Sequence, residues 1–403
     1  MTHPFRFADP RRARDLVDAI RLLAPREPVK LVHVCGTHEI AIARHGLRRL
    51  LPDTVRVLEG PGCPVCVTPA REIETAIRIA ETGATVCSFG DMLRVPGYGR
   101  SLESAGASGA DIRTVLSIDE AVRIAGDSAH EVVFFAVGFE TTAPMTAAVA
   151  LEHPPSNFSI LASHKLIPPA MAALLSLPAT GISGFLAPGH VSTIIGTGGY
   201  GPRLADCGVP VVVSGFEPLD ILYAIALLLR QIRDGRAAIE NAYPRAVNPD
   251  GNLTAQRLLA NVFEPAAAEW RGIGILPESG YRFRPAFARL DARARFDVGV
   301  IPEHEEDRAC RCPDVLTARA VPADCPLFGR RCTPLSPVGP CMVGAEGACA
   351  IWFRYDGERG LYDRTDHRAS RGRRRGDGPT PRATHPSSLW RPAIRTYQPP
   401  RRR

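Results

Sequence analysis

Short, β-branched apolar runs alternate with longer segments of helical periodicity through the first 235 residues. The first runs are VKLVHV, VRVLEG and ATVCSFG, and helical patterns lie between them over about 39–51 and 69–81. The second series contains EVVFFAVG, FSILASH, ISGFLAPG and VPVVVSGFE, with a helix from about Ala143 and the apolar helix PLDILYAIALLLRQIRDG at its end. Strands that alternate with helices in this way are typical of parallel sheets covered by helices.

This alternation predicts the α/β class, with two Rossmann-like α/β domains of mainly parallel strands and a smaller cysteine-rich region. We expect the first domain to span 1–125, with one sheet built from 29–125, and the second domain to span 126–240. Periodicity weakens after Gly235, so 241–356 forms the expected third region. The segment 357–403 is rich in Arg, Pro, Gly and Ser, a composition that predicts a disordered tail.

The basic charge of the chain is concentrated in this tail. The net charge is +7 over 403 residues, whereas 357–403 carries 13 Arg against four acids, which is +9 and leaves the first 356 residues at −2. A body without net positive charge does not indicate nucleic-acid binding. The sequence has neither an apolar run of about 18 residues nor a signal-like N-terminus, so we expect a cytoplasmic protein that does not enter a membrane.

Thiol, carboxylate and imidazole residues follow the predicted strands at their carboxyl ends. These residues are Cys35, Cys63, Asp91, Glu140, His164 and His190. In open α/β sheets, ligands bind in the crevice outside the carboxyl ends of the strands. The sequence therefore predicts a site in a cleft between the two α/β domains.

Two motifs at this edge carry cysteines. Cys63 and Cys66 form a Cys-x-x-Cys pair at a strand-to-helix turn, and Cys35 stands close to His38 in CGTHE. A Cys-x-x-Cys pair at the start of a helix has lowered thiol pKa values. Three thiolates and an imidazole suit iron. The residues leave open whether the pair binds iron or cycles as a redox dithiol.

A second group of cysteines crowds into 310–349. Four of them are separated by 14, 6 and 16 residues: Cys310, Cys325, Cys332 and Cys349. This spacing lacks the tight knuckles of zinc sites and favours a [4Fe-4S] cluster, with zinc and disulfides as the alternatives. Cys312 and Cys341 are then either inert buried thiols or a redox dithiol. The isolated Cys87 and Cys207 are expected to be packing residues.

Six longer motifs resemble one family in order and in content. They are CGTHE (35–39), GPGCPVC (60–66), FGDMLRVPG (89–97), GFETTAP (138–144), FLAPGHVSTIIG (185–196) and DCPLFGRRCTPLSPVGPCMVGAEGAC (324–349). Together they resemble the hydrogenase maturation protein family HypD, over about 10–356. The resemblance implies two α/β domains and a cluster-bearing region, which agrees with the domains predicted from the alternation of strands and helices.

The resemblance also implies a function. HypD proteins work with a small partner, HypC, as the scaffold on which the Fe(CN)2CO unit of [NiFe]-hydrogenase is built. HypE, with HypF, donates cyanide, and the finished unit passes to the hydrogenase large subunit. Such a protein is a metallocentre assembly scaffold with redox activity rather than a conventional turnover enzyme. Two alternatives stay open: a stand-alone iron-sulfur thiol-disulfide oxidoreductase, and a binding module that a metal stabilises.

By the same resemblance, individual residues receive roles. Cys35 would hold the iron of the Fe(CN)2CO unit together with a cysteine of HypC, and Cys63 and Cys66 would be the functional thiol pair. The implied supporting residues are His38, Asp91 and Glu346. The implied ligands of the [4Fe-4S] cluster are Cys310, Cys325, Cys332 and Cys349. Cys312 and Cys341 would be a redox pair beside the cluster, as in ferredoxin:thioredoxin reductase.

Overall fold

The computed structural model describes residues 9–301 and 307–355, and the tail predicted over 357–403 lies outside the described residues. The helices are α1 (Pro10–Leu23), α2 (Gly36–Arg44), α3 (Pro64–Val67), α4 (Ala70–Glu81), α5 (Gly90–Leu93), α6 (Leu102–Ala107), α7 (Ile118–Gly126), α8 (Ala143–Leu151), α9 (Ile167–Ser176), α10 (Gly189–Ile195), α11 (Gly201–Leu204), α12 (Pro218–Arg233), α13 (Leu253–Val262), α14 (Ala292–Arg295), α15 (Cys312–Leu316) and α16 (Ala348–Tyr355). The strands are β1 (Val29–His33), β2 (Val55–Glu59), β3 (Thr85–Ser88), β4 (Ile112–Thr114), β5 (Val132–Gly138), β6 (Phe158–His164), β7 (Gly184–Pro188), β8 (Val211–Ser214), β9 (Ile239–Asn241), β10 (Phe263–Trp270) and β11 (Gly274–Phe283).

Two parallel sheets and one hairpin make up the β structure. The first sheet has five strands in the order β2-β1-β7-β8-β9, and the second has four in the order β4-β3-β5-β6. All neighbouring strands within these sheets are parallel. β10 and β11 form an antiparallel hairpin with a register shift between Ala266 and Ala268. The α/β class with mainly parallel sheets is therefore confirmed.

The strands divide between the sheets differently from the prediction. Residues 29–125 were expected to contribute one sheet, yet β3 and β4 pair with β5 and β6, while β7, β8 and β9 return to β1 and β2. The prediction of one sheet from 29–125 is wrong. Strands that are buried on both faces have the same continuous apolar pattern in either sheet, so the pattern cannot assign a strand to its sheet.

Each sheet is covered on both faces. On one face of the first sheet, apolar side chains of α1 and α12 pack against β1, β2, β7 and β8. On the opposite face, α9, the hairpin and the cysteine-rich segment form a single cluster of buried side chains. In the second sheet, α7, α8 and α13 cover one face, and α4 and α6 cover the other. Thus the cysteine-rich segment is part of the core of the first sheet.

Local signals explain where the longest helices begin. The Asp9 side chain accepts hydrogen bonds from the backbone N–H groups of Arg11 and Arg12, and Pro10 stands at the first helical position of α1. α12 likewise begins with Pro218, and 11 of its 16 residues are buried. In the part of the chain that the structure describes, no helix is long and apolar enough to cross a membrane.

Candidate functional site

Cys35 lies at the carboxyl end of β1, directly before α2. Its side chain is 1% exposed, and its Sγ lies 3.8 Å from Nε2 of His190. Burial raises the pKa of the Cys35 thiol to about 12, and the backbone N–H of His38 opposes this rise while the charge of Glu346 adds to it. The thiol is therefore protonated at neutral pH, and a metal that binds it displaces the proton.

Two imidazoles flank the ring of Phe216 beside this thiol. The His190 ring stacks on Phe216 with centroids 4.9 Å apart, and the His38 ring lies 5.1 Å from the same ring. The Nε2–H of His38 donates to the carbonyl oxygen of Gly215 at 3.0 Å. Burial lowers the pKa of His38 to about 3 and that of His190 to about 4. Both rings are therefore neutral at pH 7, and it is the ring of His190 that lies within 3.8 Å of the Cys35 sulfur.

Cys63 directly precedes α3 and forms a disulfide with Cys66 inside that helix, with their Cα atoms 5.2 Å apart. Both side chains are fully buried. The preceding loop packs directly on Cys35, because a Cβ atom at Gly62 would overlap the backbone of Cys35. The backbone N–H of Gly36 donates to the carbonyl oxygen of Gly62 at 3.3 Å. Only glycine allows this close approach, which holds the thiol pair beside the Cys35 loop.

Glu346 and Asp91 connect the cysteine-rich segment to the same place. Glu346 Oε1 accepts a hydrogen bond from the Thr37 hydroxyl at 2.9 Å, and Asp91 Oδ2 accepts one from the backbone N–H of Ala345 at 3.2 Å. Burial raises the pKa of Glu346, and the neighbouring Asp91 raises it further. Both predicted carboxylates thus lie at the edge of the Cys35 site. Glu346 contacts Thr37 on α2, the helix that directly follows Cys35.

A buried network of ion pairs and hydrogen bonds forms around Glu39 on α2. The Glu39 carboxylate is unexposed and accepts hydrogen bonds from Arg48 Nη1 at 2.8 Å, His33 Nε2 at 2.7 Å and Trp352 Nε1 at 2.8 Å. Burial alone would raise the pKa of Glu39, but the charge of Arg48 and these donors hold it well below its usual range. Because Trp352 lies on α16, the network joins the CGTHE helix to the end of the cysteine-rich segment.

A second disulfide joins Cys312 and Cys341, whose Cα atoms lie 6.3 Å apart. Cys66 Sγ lies 3.9 Å from the carbonyl oxygen of Pro340, the residue before Cys341. On its other side, a Cβ atom at Gly339 would lie 2.6 Å from Cys310 Sγ and 3.6 Å from Cys312 Cβ. The Cys312–Cys341 disulfide therefore stands between the Cys63–Cys66 pair and the first of the predicted cluster ligands.

The four remaining thiols of the cysteine-rich segment form the four-cysteine set: Cys310, Cys325, Cys332 and Cys349. Three members are buried and Cys310 is partly buried. Burial raises the pKa of Cys349 well above its usual range, and the charges of the other three thiols add to this rise. The backbone N–H of Val338 donates to Cys332 Sγ at 3.3 Å. The loops thus bring the four sulfurs into one region and supply a donor to one of them.

Four cysteine sulfurs in one region are the type of donor that an iron-sulfur cluster takes. Among the described residues, no three His, Cys, Asp or Glu side chains approach closely enough to hold one metal ion. A tetrahedral zinc ion needs its thiolates at about 2.3 Å, whereas a cubane takes one thiolate at each of four separated irons. Burial and the charges of the other three sulfurs disfavour ionisation of Cys349, and the irons of a bound cluster would supply the positive charge that its thiolate needs.

Other predicted strand-end residues make their contacts elsewhere. Glu140 Oε1 accepts the backbone N–H of Ile167, and His164 Nε2 pairs with the Thr146 hydroxyl at 2.9 Å. Cys87 is buried in β3, as the packing interpretation requires, whereas Cys207 is exposed and that interpretation is wrong for it. Cys207 lies in the turn between α11 and β8, where its Sγ approaches the carbonyl oxygen of Arg203.

The protein therefore has an α/β fold and a site built from cysteines. Two neighbouring disulfides lie between the four-cysteine set and the buried thiol of Cys35. The HypD family, described as "Hydrogenase formation hypA family", matches residues 11–356. The chain belongs to this family.

Curated relatives extend over nearly the same residues. The chain is 46% identical over 369 residues to Hydrogenase maturation factor HypD2 of Bradyrhizobium diazoefficiens. The aligned residues cover 88% of this chain and 97% of that protein. It is 45% identical over 366 residues to Hydrogenase maturation factor HypD of Azotobacter vinelandii, with 88% and 96% covered. The corresponding protein of Cupriavidus necator is 44% identical over 363 residues, with 87% and 96% covered.

Proposed function

We propose that this chain is a cytoplasmic [NiFe]-hydrogenase maturation factor and, with a small HypC-like partner, forms the scaffold that assembles the Fe(CN)2CO unit. The observation that carries the proposal is the placement of Cys35: one protonated, buried thiol beside a neutral imidazole and a disulfide pair. The names of the relatives point to the same process for those proteins. In this account HypE, with HypF, donates cyanide, and the hydrogenase large subunit receives the unit.

The first step assigned to these residues is capture of the iron substrate. Cys35 Sγ binds iron as a thiolate, so the thiol proton leaves as the metal arrives. His190 Nε2, 3.8 Å from Sγ and neutral at pH 7, is placed to accept that proton and pass it on to solvent, since its low pKa prevents it from keeping the proton. The two carboxylates at the edge, Asp91 and Glu346, place negative charge near an incoming cation. His38 holds the Phe216 side of the site through its bond to Gly215.

The second step is reduction by thiol-disulfide exchange. A reduced Cys312/Cys341 dithiol attacks the Cys63–Cys66 disulfide, so one disulfide forms as the other opens and two thiol protons move with two electrons. The 3.9 Å approach of Cys66 Sγ to the carbonyl oxygen of Pro340, next to Cys341, places the two pairs close enough for this exchange to be considered the second step. Cyanide and CO are strong-field ligands that favour low-spin ferrous iron, so the scaffold needs a nearby source of electrons.

The four-cysteine set would hold a [4Fe-4S] cluster, which supplies single-electron transfer when bound. One of its members, Cys310, lies beside Gly339, which also approaches Cys312. The protein itself contributes burial and the Val338 N–H donor to the Cys332 sulfur. A hydrogen bond to a ligand sulfur and the exclusion of water are means by which proteins tune such a group.

The two neighbouring disulfides also favour a second candidate function, a stand-alone thiol-disulfide oxidoreductase. Such an enzyme turns over disulfide substrates without a partner protein. All four sulfurs of the pairs are nearly or fully buried, which argues against direct access by a free disulfide substrate. Assembly of an iron unit on a partner-bound scaffold accounts for this burial better.

A complementation experiment tests the proposed function. In a bacterium that lacks its own HypD-family gene, expression of this chain should restore hydrogenase activity to at least about half of the normal level. The family match ends at residue 356, so a chain that stops there should restore activity within about twofold of the full chain. If both chains accumulate with bound partner and neither restores activity, the proposed function is wrong.

A further inference from the structure

The residues that follow four neighbouring strands of the first sheet form a row at its carboxyl edge. The strands β1, β7, β8 and β9 are adjacent and parallel, so the loops that follow them lie side by side. The members of the row are Cys35, His190, Phe216 and Tyr243. Each of them is the second residue after its strand. The row therefore starts at the buried thiol and ends at the outermost strand of the sheet.

Contacts run along this row from one member to the next. Cys35 Sγ lies 3.8 Å from His190 Nε2. The His190 ring stacks on Phe216 with centroids 4.9 Å apart, and the Phe216 ring meets the Tyr243 ring edge-on at 6.1 Å. Stacked and edge-to-face rings at these separations attract one another. Tyr243 is thus linked to Cys35 through two intervening rings.

The Tyr243 ring also packs on the backbone of the two loops that carry these rings. A Cβ atom at Gly189, the residue before His190, would lie 2.8 Å from Tyr243 Cδ1. A Cβ atom at Gly215, the residue before Phe216, would lie 2.6 Å from Tyr243 Cδ2. Only glycine lets a ring approach the backbone this closely. The two edges of one ring therefore set the spacing between the loop of His190 and the loop of Phe216.

An ion pair holds the Tyr243 ring in turn. The Arg245 guanidinium carbon lies 4.3 Å from the centroid of this ring. Arg245 Nη1 donates to Asp220 Oδ1 at 2.8 Å, and Nη2 donates to Oδ2. The Asp220 side chain is unexposed and lies in the first turn of α12, close after Phe216. A guanidinium that makes two bonds to one carboxylate has a fixed orientation, so this pair fixes the cation against the tyrosine ring.

We propose that Tyr243 is a positioning residue that keeps His190 within reach of Cys35, acting through the Phe216 ring and the Gly189 backbone. The Arg245–Asp220 pair keeps Tyr243 in place. The consequence for iron rests on the proposed function, in which His190 accepts the proton that leaves Cys35. A proton acceptor acts only within reach of its donor, so a small displacement of the imidazole slows iron capture. A tyrosine that only fills the core would affect stability and leave His190 where it is.

Nuclear magnetic resonance of the full chain with ¹³C-labelled histidine rings tests the position of His190. The ring current of the stacked Phe216 displaces the His190 Cε1–H resonance, His190→Gln assigns this resonance, and Phe216→Leu gives the shift that loss of stacking causes. Tyr243→Leu should produce at least about half of that shift, whereas Tyr243→Phe, which keeps the ring, should produce less than about a fifth. Tyr223→Leu is the matched control, because Tyr223 is a partly buried tyrosine on α12 that packs with the side chains of α1 and α12, and it should also give less than about a fifth.

The rate of iron capture tests the consequence for the proposed function. Ferrous iron is added to the anaerobic complex of the full chain with the HypC-like partner, and samples are quenched with a ferrous chelator. The uptake that Cys35→Ala lacks is the signal. A misplacement of about 1 Å can cost about 100-fold in rate, so Tyr243→Leu should slow this uptake by about 10- to 100-fold. Tyr243→Phe and Tyr223→Leu should stay within about threefold of wild type.

Arg245→Lys is a second variant, because lysine keeps the charge but cannot form the two-bond pair with Asp220. It should shift the His190 resonance in the same direction as Tyr243→Leu. An unmoved His190 resonance in both variants would overturn the proposal, as would wild-type iron capture in a variant whose resonance has moved. If wild type takes up no Cys35-dependent iron, the proposed function is wrong, and the resonance then decides by itself whether Tyr243 positions His190.

Discussion

Cys341→Ser is expected to abolish reduction of the Cys63–Cys66 disulfide in the folded protein. The Cys63 and Cys66 sulfurs are fully buried, so a soluble reductant has no direct access to them. In the proposed mechanism, electrons reach this pair through the neighbouring Cys312–Cys341 pair, because Pro340, next to Cys341, lies against Cys66. With serine at 341, the Cys312 thiol is the one thiol left in this pair. A single thiol cannot form the internal disulfide whose formation supplies two electrons.

The measurement is alkylation after anaerobic reduction with a photoreduced flavin as the one-electron donor. Trypsin releases residues 57–71, VLEGPGCPVCVTPAR, which carries both thiols of the pair. In wild type this peptide should gain two carbamidomethyl groups, and in Cys341→Ser less than about a tenth of that amount. Cys207→Ser is the matched control, because Cys207 is exposed and outside both disulfides. Equal labelling in Cys341→Ser and wild type would remove the exchange step from the mechanism.

Arg48→Met is expected to lower the free energy of unfolding by about 3–5 kcal/mol at pH 7.5, because it leaves the buried Glu39 carboxylate without its cation. Methionine replaces the aliphatic stem of Arg48, so the loss reports the guanidinium group, which donates two bonds to Glu39 and one to the carbonyl oxygen of Val57. The control is Arg21→Met on α1, whose exposed pair with Asp18 should be worth about 0–1 kcal/mol. Urea unfolding followed by circular dichroism gives both values.

The loss of unfolding free energy caused by Arg48→Met should also depend on pH. The folded-state pKa of Glu39 lies below its unfolded value, so the stability from its ionised form is present above about pH 4.3 and is lost as the pH falls further. Without Arg48, burial raises the pKa of Glu39, so this carboxyl takes up its proton at a higher pH in the variant than in wild type. The difference in stability between wild type and Arg48→Met should therefore narrow as the pH falls from 7.5 toward about 4. If Arg48→Met lowers the free energy of unfolding at pH 7.5 no more than Arg21→Met does, the network around Glu39 contributes little to stability.

Much of the local structure follows from the sequence pattern. The helix expected over 69–81 is observed as Ala70–Glu81, and the apolar helix after the last strand is observed as Pro218–Arg233. Each owes its detection to a long periodic pattern with a proline near its start. The hairpin of β10 and β11 was not predicted, because FEPAAAEW contains Pro and Ala and has no strand-like alternation of apolar residues.

The candidate site was only partly visible in the sequence. Cysteine spacing and the position of Cys35 after a strand indicated the thiol residues, since these signals are local. The contact of His190 with Cys35 depends on β7 pairing with β1, a crossover of about 150 residues that periodicity does not specify.

The central claim is that Cys35 holds the iron of the Fe(CN)2CO unit. Infrared spectroscopy of the anaerobically purified complex with the HypC-like partner tests it most directly, with Mössbauer spectra reporting the iron. Wild type should show CN and CO stretching bands, and Cys35→Ala should lose them while Cys207→Ala, at an exposed thiol, keeps them. CN and CO bands of undiminished intensity in the Cys35→Ala complex would contradict the account.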